Sequence, residues 1–246
     1  MRHMPVPALR YTWSRRAVHA VDPRVKVLID RNIEINAITC KTVLAPQVVR
    51  WGGRDQMIHA AQRVHFPPRR DESFRRAQLP WLATLCNFAK HGKLQFFATH
   101  EMRMEKLRQK GRCEGYMGLN LLRGVPVKTI PCPAQRIILV AQAGSIGVTE
   151  KEQMEFFRSI RHPKFLQIRS ATGDAHIDDA FHLWAADEAG LDVFLTMDQR
   201  FWRVVNQKKK AIGRVIPVMT PKELGEHLNA QPTDMEKLAA EIDPFS

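Results

Sequence analysis

The hydrophobic and polar positions alternate between two periods along this chain. Val25-Lys26-Val27-Leu28-Ile29 is a short, apolar, β-branched run that stops at Asp30, the pattern of a buried strand. Leu94 to Ala98, Ile137 to Val140, Asp192 to Thr196 and Val215 to Met219 read the same way. Helical spacing runs through Phe74, Ala77, Trp81, Leu85 and Phe88 to Gly92, with Pro80 marking a start or a kink. Residues 100–110 read as a helix with a charged outer face. Thr149 followed three residues on by Glu152 is a capping-box spacing for a helix to Ile160. His176 to Ala189 is a helix closed by Gly190, Gln199 to Asn206 a shorter one, and Pro221 opens a last one. Strands alternating with helices predict a parallel α/β sheet.

Between these elements the pattern breaks. Ile33 to Leu44 has no clear period, and Pro46 is expected to stop whatever forms there. Residues 46–72, with Gly52-Gly53 and Pro67-Pro68, read as an irregular or partly helical basic insertion, and 111–148 as a second insertion rich in Gly and Pro. Residues 1–24 read as an extended basic arm and 230–246 as a C-terminal tail. No repeat is seen.

Composition changes the picture in one respect. The 246 residues are 44% hydrophobic and 26% charged, as in ordinary globular proteins, but 38 Lys and Arg stand against 25 Asp and Glu, a net +13. Such a surplus favours a polyanionic partner, most simply nucleic acid. Residues 1–76 hold 15 basic and 6 acidic side chains, residues 211–246 hold 3 and 6. Arg15, Arg16, Arg69, Arg70, Arg75, Arg76 and the run Lys208, Lys209, Lys210 are the candidate phosphate contacts, although each run taken singly reads more readily as solvated surface. Four scattered cysteines without C-x-x-C spacing read as reduced thiols, and no apolar run is long enough to span a membrane, so a cytoplasmic protein with no membrane partner is expected. The sequence leaves a homo-oligomer open.

Ligands of open α/β sheets collect beyond the carboxyl ends of the strands. The acids at those places are Asp30, Glu101 and Glu105, Asp178 and Asp179, and Asp198. Taken singly, each is a common N-cap, turn or solvated helix residue. Taken together, oxygen-only ligands select a hard ion such as Mg²⁺ or Mn²⁺. His100-Glu101 starts like a zinc-protease motif, but Met104 stands where the second histidine belongs. His182, three residues after Asp179, is suited either to orient that carboxylate or to pack its helix. Trp184 reads as core, whereas Trp13, Trp51 and Trp202 lie in or near basic segments and could stack on unpaired bases or simply pack.

Val-Leu-Ile-Asp30-Arg-Asn32, the stretch from Asp179 through Thr196-Met-Asp198, and the closing Val-Ile-Pro-Val-Met-Thr-Pro221-Lys-Glu-Leu together resemble the PIN-domain ribonucleases over roughly residues 25–229. The resemblance implies an α/β/α sandwich of PIN type, here with a basic arm and insertions. It also implies Mg²⁺- or Mn²⁺-dependent cleavage of single-stranded or looped RNA. Many members are toxins held by an antitoxin protein, which would be a further partner. By position, Asp30, Glu105, Asp179 and Asp198 would be the metal-binding acids, with Asn32 and Thr196 supporting them. Glu101 is the alternate for Glu105, one helical turn away on the same face, and Asp178 the alternate for Asp179. The competing expectation is a PIN-like RNA-binding or assembly module with little or no catalysis.

Overall fold

The computed structural model describes residues 25–38, 40–65, 72–108, 120–134 and 149–242. In chain order these form β1 (Val25–Ile29), α1 (Arg31–Asn36), β2 (Cys40–Trp51), β3 (Arg54–His65), α2 (Glu72–Lys90), β4 (Leu94–Thr99), α3 (His100–Arg108), β5 (Val127–Ile130) and α4 (Glu150–Ser159). There follow α5 (Pro163–Thr172), a 3₁₀ turn (Asp174–His176), α6 (Ile177–Glu188), β6 (Val193–Leu195), α7 (Gln199–Gln207), α8 (Lys209–Ile212), β7 (Val218–Met219), α9 (Pro221–His227) and α10 (Met235–Ile242).

Five strands make one sheet in the order β5-β4-β1-β6-β7, parallel throughout, so the expected α/β class holds. Its central strands carry apolar residues on both sides because both faces are covered. Leu28 and Phe194 point into one core with Phe157, Phe165, Phe181 and Trp184, which come from α4, α5 and α6. Val27, Ile29, Val193 and Leu195 point the other way, against Leu82 and Leu85 of α2 and Leu224 of α9. Helices therefore flank the sheet on both sides. Gly225 lets α9 lie against Trp81 of α2; a Cβ there would come within 2.2 Å of the indole.

Several expectations are corrected. Pro80 neither starts nor ends a helix: α2 begins at Glu72 and continues through it. Residues 46–65 are not irregular; β2 continues through Pro46 and pairs with β3 in a long antiparallel hairpin turning at Gly52-Gly53, while 66–71 lie outside the described residues. The fifth sheet strand is Val127–Ile130, while the strand expected at 137–140 lies outside the described residues, as does the arm 1–24. The stretch expected as a tail carries α10, whose Met235 and Leu238 pack on the α2 side of the core. The capping box at Thr149 and Glu152 is present as read. Of the cysteines, Cys86 is buried and its thiol is pushed up to about 12 by burial, which makes it an inert core group. No helix among the described residues is long and apolar enough to cross a membrane.

Candidate functional site

From β1 the chain moves outward to β4 and β5 on one side, and then through β6 to β7 on the other. The order therefore reverses between β1 and β6, and the crevice at their carboxyl ends is where such sheets place ligands. Asp30 leaves β1 at this point, and Thr196, Met197 and Asp198 leave β6 beside it. α6 precedes β6 and runs back against it, which brings the first turn of α6, with Asp178 and Asp179, to the same end. α3 follows β4 and supplies Glu105 from its second turn.

These acids line one open cavity of about 490 Å³: Asp30, Glu105, Asp178, Asp179 and Asp198 all reach it. Glu101 does not line it. It is buried and accepts a hydrogen bond from Gln153 Nε2 at 2.9 Å. Of the two glutamates on that helix, the structure brings Glu105 to the cavity, and of the two neighbouring aspartates it brings both.

Local geometry explains how a carboxylate as buried as Asp30, 2% exposed, is held. Asp30 caps α1 through the Arg31 amide, Thr196 Oγ1 donates to its Oδ2 at 2.8 Å, and Asn32 Nδ2 donates to the same oxygen. Asn32 Oδ1 in turn accepts from the Met197 amide at 2.6 Å, tying the loop after β6 to α1. Thr196 Oγ1 also accepts from the Asp198 amide at 2.9 Å. Asn32 and Thr196 thus join the two strand ends. Burial and the neighbouring Asp179 charge push Asp30 well above the usual carboxylate range, against the hydrogen bond from Thr196.

Asp179 is raised to about 6, first by burial and then by Asp178 and Asp198, with the His176 hydrogen bond pulling the other way. Its partner is His176, whose Nδ1 lies 3.2 Å from Asp179 Oδ2. Both ring nitrogens of His182 are paired elsewhere. The ring is buried, with Nδ1 3.0 Å from Thr99 Oγ1 and Nε2 3.4 Å from Glu105 Oε1. The expectation that His182 might orient Asp179 is corrected on this point: His182 holds Glu105. Burial opposes a charge on His182, but the hydrogen bond and charge of Glu105, with Asp30 and Asp178, together raise its pKa. Asp198 spends Oδ1 on capping α7, accepting from the Arg200 and Phe201 amides at 2.7 and 3.0 Å.

Four residues of the site were not singled out from the sequence. His176 was legible in principle, since it stands three positions before Asp179. Gln153, fully buried, donates to Glu101 and, at 3.4 Å, to Glu105, but it comes from α4 and left no local signal. Arg31 and Arg200 also line the cavity and put two cations beside the acids.

The basic candidates are spread out. Arg15, Arg16, Arg69 and Arg70 lie outside the described residues. Arg75 is 6% exposed and its Nη2 donates to the Ile38 carbonyl at 3.4 Å, which corrects its reading as a phosphate contact. Arg76 is exposed, and so are Lys208, Lys209 and Lys210. The lysines start where α7 ends, roughly 15 Å along that helix from the Asp198 cap. Trp184 is core as read, and Trp202 is tied to Glu223 by a 2.8 Å hydrogen bond from its indole.

Among the described residues, no three His, Cys, Asp or Glu side chains stand close enough to form a ready-made metal cage. The donors facing the cavity are nevertheless mostly carboxylates, and mutual repulsion is part of what raises Asp30 and Asp179. A divalent cation would relieve it. Mg²⁺ keeps several waters and is commonly held by one or two carboxylates, so an open acid-lined cavity fits it better than it fits zinc. No family model matches this chain, and no curated protein and no solved structure matches it either.

Proposed function

We propose that the chain is a metal-dependent endoribonuclease of the PIN type, hydrolysing phosphodiester bonds of single-stranded or looped RNA. The observation that carries this reading is that Asp30, Glu105, Asp179 and Asp198, from four separate stretches of chain, line one open cavity at the switch point of a parallel sheet. The motifs around Asp30 and from Asp179 to Asp198, and the net charge of +13, support it.

The four acids, with Asp178 beside them, would hold Mg²⁺ or Mn²⁺. When bound, such an ion acidifies a coordinated water and offsets the charge that builds up on the phosphate. The chain's own residues do the positioning. Asn32 and Thr196 fix the Asp30 carboxylate, and His182 and Gln153 fix Glu105. Arg31 and Arg200 give a phosphodiester a cationic contact beside an otherwise repulsive acid group.

The test is cleavage of a labelled mixed-sequence single-stranded RNA with Mn²⁺, with EDTA, and by Asp30→Asn. Cutting should require the metal. The variant should lose more than the ~10–100-fold typical of removing an outer-shell partner, while still binding RNA. Full activity in Asp30→Asn would end the proposed mechanism. A second reading, an RNA-binding module with little catalysis, draws on the absence of a ready-made cage and on Asp198 already serving as a helix cap. Thermal unfolding separates the two, because an ion bound by the native state must raise the Tm.

A further inference from the structure

The β2–β3 hairpin forms a sheet of its own, apart from the five-stranded one. Each strand has 12 residues, so the ribbon is about 40 Å long. It carries the large exposed apolar side chains of the described structure: Val48, Trp51, Met57 and Ile58, with Trp51 74% exposed. The pairing register decides how these are arranged. Trp51 lies opposite Arg54 and Gln47 opposite Ile58, so Trp51, Arg54 and Ile58 share one face. Val48 lies opposite Met57 on the other face.

This distribution is poor for docking a protein. Trp51 and Ile58 stand roughly 13 Å apart along the ribbon, and on their face each large apolar side chain lies opposite a polar one, Trp51 opposite Arg54, Val49 opposite Gln56 and Ile58 opposite Gln47. Neither face therefore presents the continuous apolar patch that a stable protein interface needs. Pairing another strand along the edge is opposed by Pro46, which removes a donor from β2, and by the charges at Arg54 and Asp55.

The tip suits a single nucleic-acid strand. At the Gly52-Gly53 turn an exposed indole stands beside Arg54 on the same face, and Arg54 makes no ion pair among the described residues. An aromatic plane next to a guanidinium provides a stacking surface for a base and a contact for the adjoining phosphate. Residues 40–65 carry four Lys and Arg against one Asp, in a chain of net +13, so the charge matches a polyanion.

We propose that the β2–β3 hairpin is an RNA-gripping arm, in which Trp51 stacks on an unpaired base and Arg54 holds a neighbouring phosphate. The inference rests on the RNA reading of the acidic cavity and adds substrate contacts outside that cavity.

The experiment measures binding of a fluorescein-labelled mixed-sequence single-stranded RNA to the full chain in EDTA, over a range of salt. Trp51→Ala should weaken binding about tenfold, and Trp51→Phe, which keeps a ring, should restore most of it. Arg54→Gln should lower the salt slope by about 0.7, one phosphate's worth for a single strand. If the wild type binds RNA and the arm variants bind equally well, the arm proposal falls, while Mn²⁺-dependent cleavage by the same variants would leave the nuclease reading standing. A wild-type dimer that Trp51→Ala dissociates, with RNA binding unchanged, would assign the arm to a second copy and overturn the proposal. A wild type that neither binds nor cuts RNA would overturn both readings.

Discussion

In the five-stranded sheet, Val27, Leu28, Ile29, Val193, Phe194 and Leu195 are sealed between helices, each at 1% exposure or less. In the hairpin, Val48, Trp51 and Met57 are more than half exposed. Both regions use the same residue types and the same backbone conformation. What differs is company. The sheet strands have partners on two edges and helices on two faces, whereas β2 and β3 have each other. Apolar content therefore marks a strand without saying whether it is buried, and where it is not buried it asks for a ligand.

Replacing one tryptophan in each region breaks this comparison most directly. Trp184→Ala should cost about 3–5 kcal/mol of stability in urea unfolding, because it empties a fully packed site beside Phe165 and Phe181. Trp51→Ala should stay within about 0.5 kcal/mol. A comparable loss at Trp51 would mean that the arm is packed after all.

The acidic cavity should show its strain through pH. Asp179 has a folded pKa of about 6 against an ordinary 3.8, so between these values the native state binds more protons than the unfolded one. Stability of the metal-free protein should then fall as pH rises from about 4 to about 6, by up to ~3 kcal/mol, and Asp179→Asn should flatten the slope. Asp30, raised in the same sense, adds to it. With Mn²⁺ the sign reverses, since the ion needs deprotonated ligands: the Mn²⁺-induced rise in Tm should be larger at pH 7 than at pH 5. Equal shifts at both would place the ion elsewhere.

A smaller effect tests the close approach of α9 to α2. Gly225→Ala puts a methyl group into the Trp81 ring and should cost about 1–3 kcal/mol by thermal unfolding. At the hairpin turn nothing lies within 4 Å of either glycine's added Cβ, but Gly52 and Gly53 sit at φ of +60° and +78°, so an alanine there should cost about 1–2 kcal/mol through backbone strain rather than a clash.

Much of the sheet was legible because its code is local. Val25 to Ile29 is a solid apolar run for a strand covered on both faces, and Thr149 with Glu152, or Pro221 behind Thr220, are helix starts written within four residues. The places of Asp30 and Asp198 followed from the same logic, since both sit directly after strands. The hairpin was illegible for the complementary reason. With apolar residues on both faces, Cys40–Trp51 has no clean alternation, and Pro46 looks like a stop unless the pairing of its strand with β3 is known. Pro80 misled in the same way, because packing of α2 against β4, α9 and α10 outweighs one missing backbone hydrogen bond.

The sequence by itself determined the α/β class, most of the element order and which acids stand at strand ends, because those depend on periods and caps spanning only a few residues. Only the tertiary structure decided the strand order β5-β4-β1-β6-β7. That order puts Asp30 and Asp198 at one switch point, turns Glu105 rather than Glu101 into the cavity, and brings His182 to Glu105. The contact of Thr196 with Asp30 joins residues 166 positions apart, and no local pattern encodes which distant side chain will arrive beside a given carboxylate.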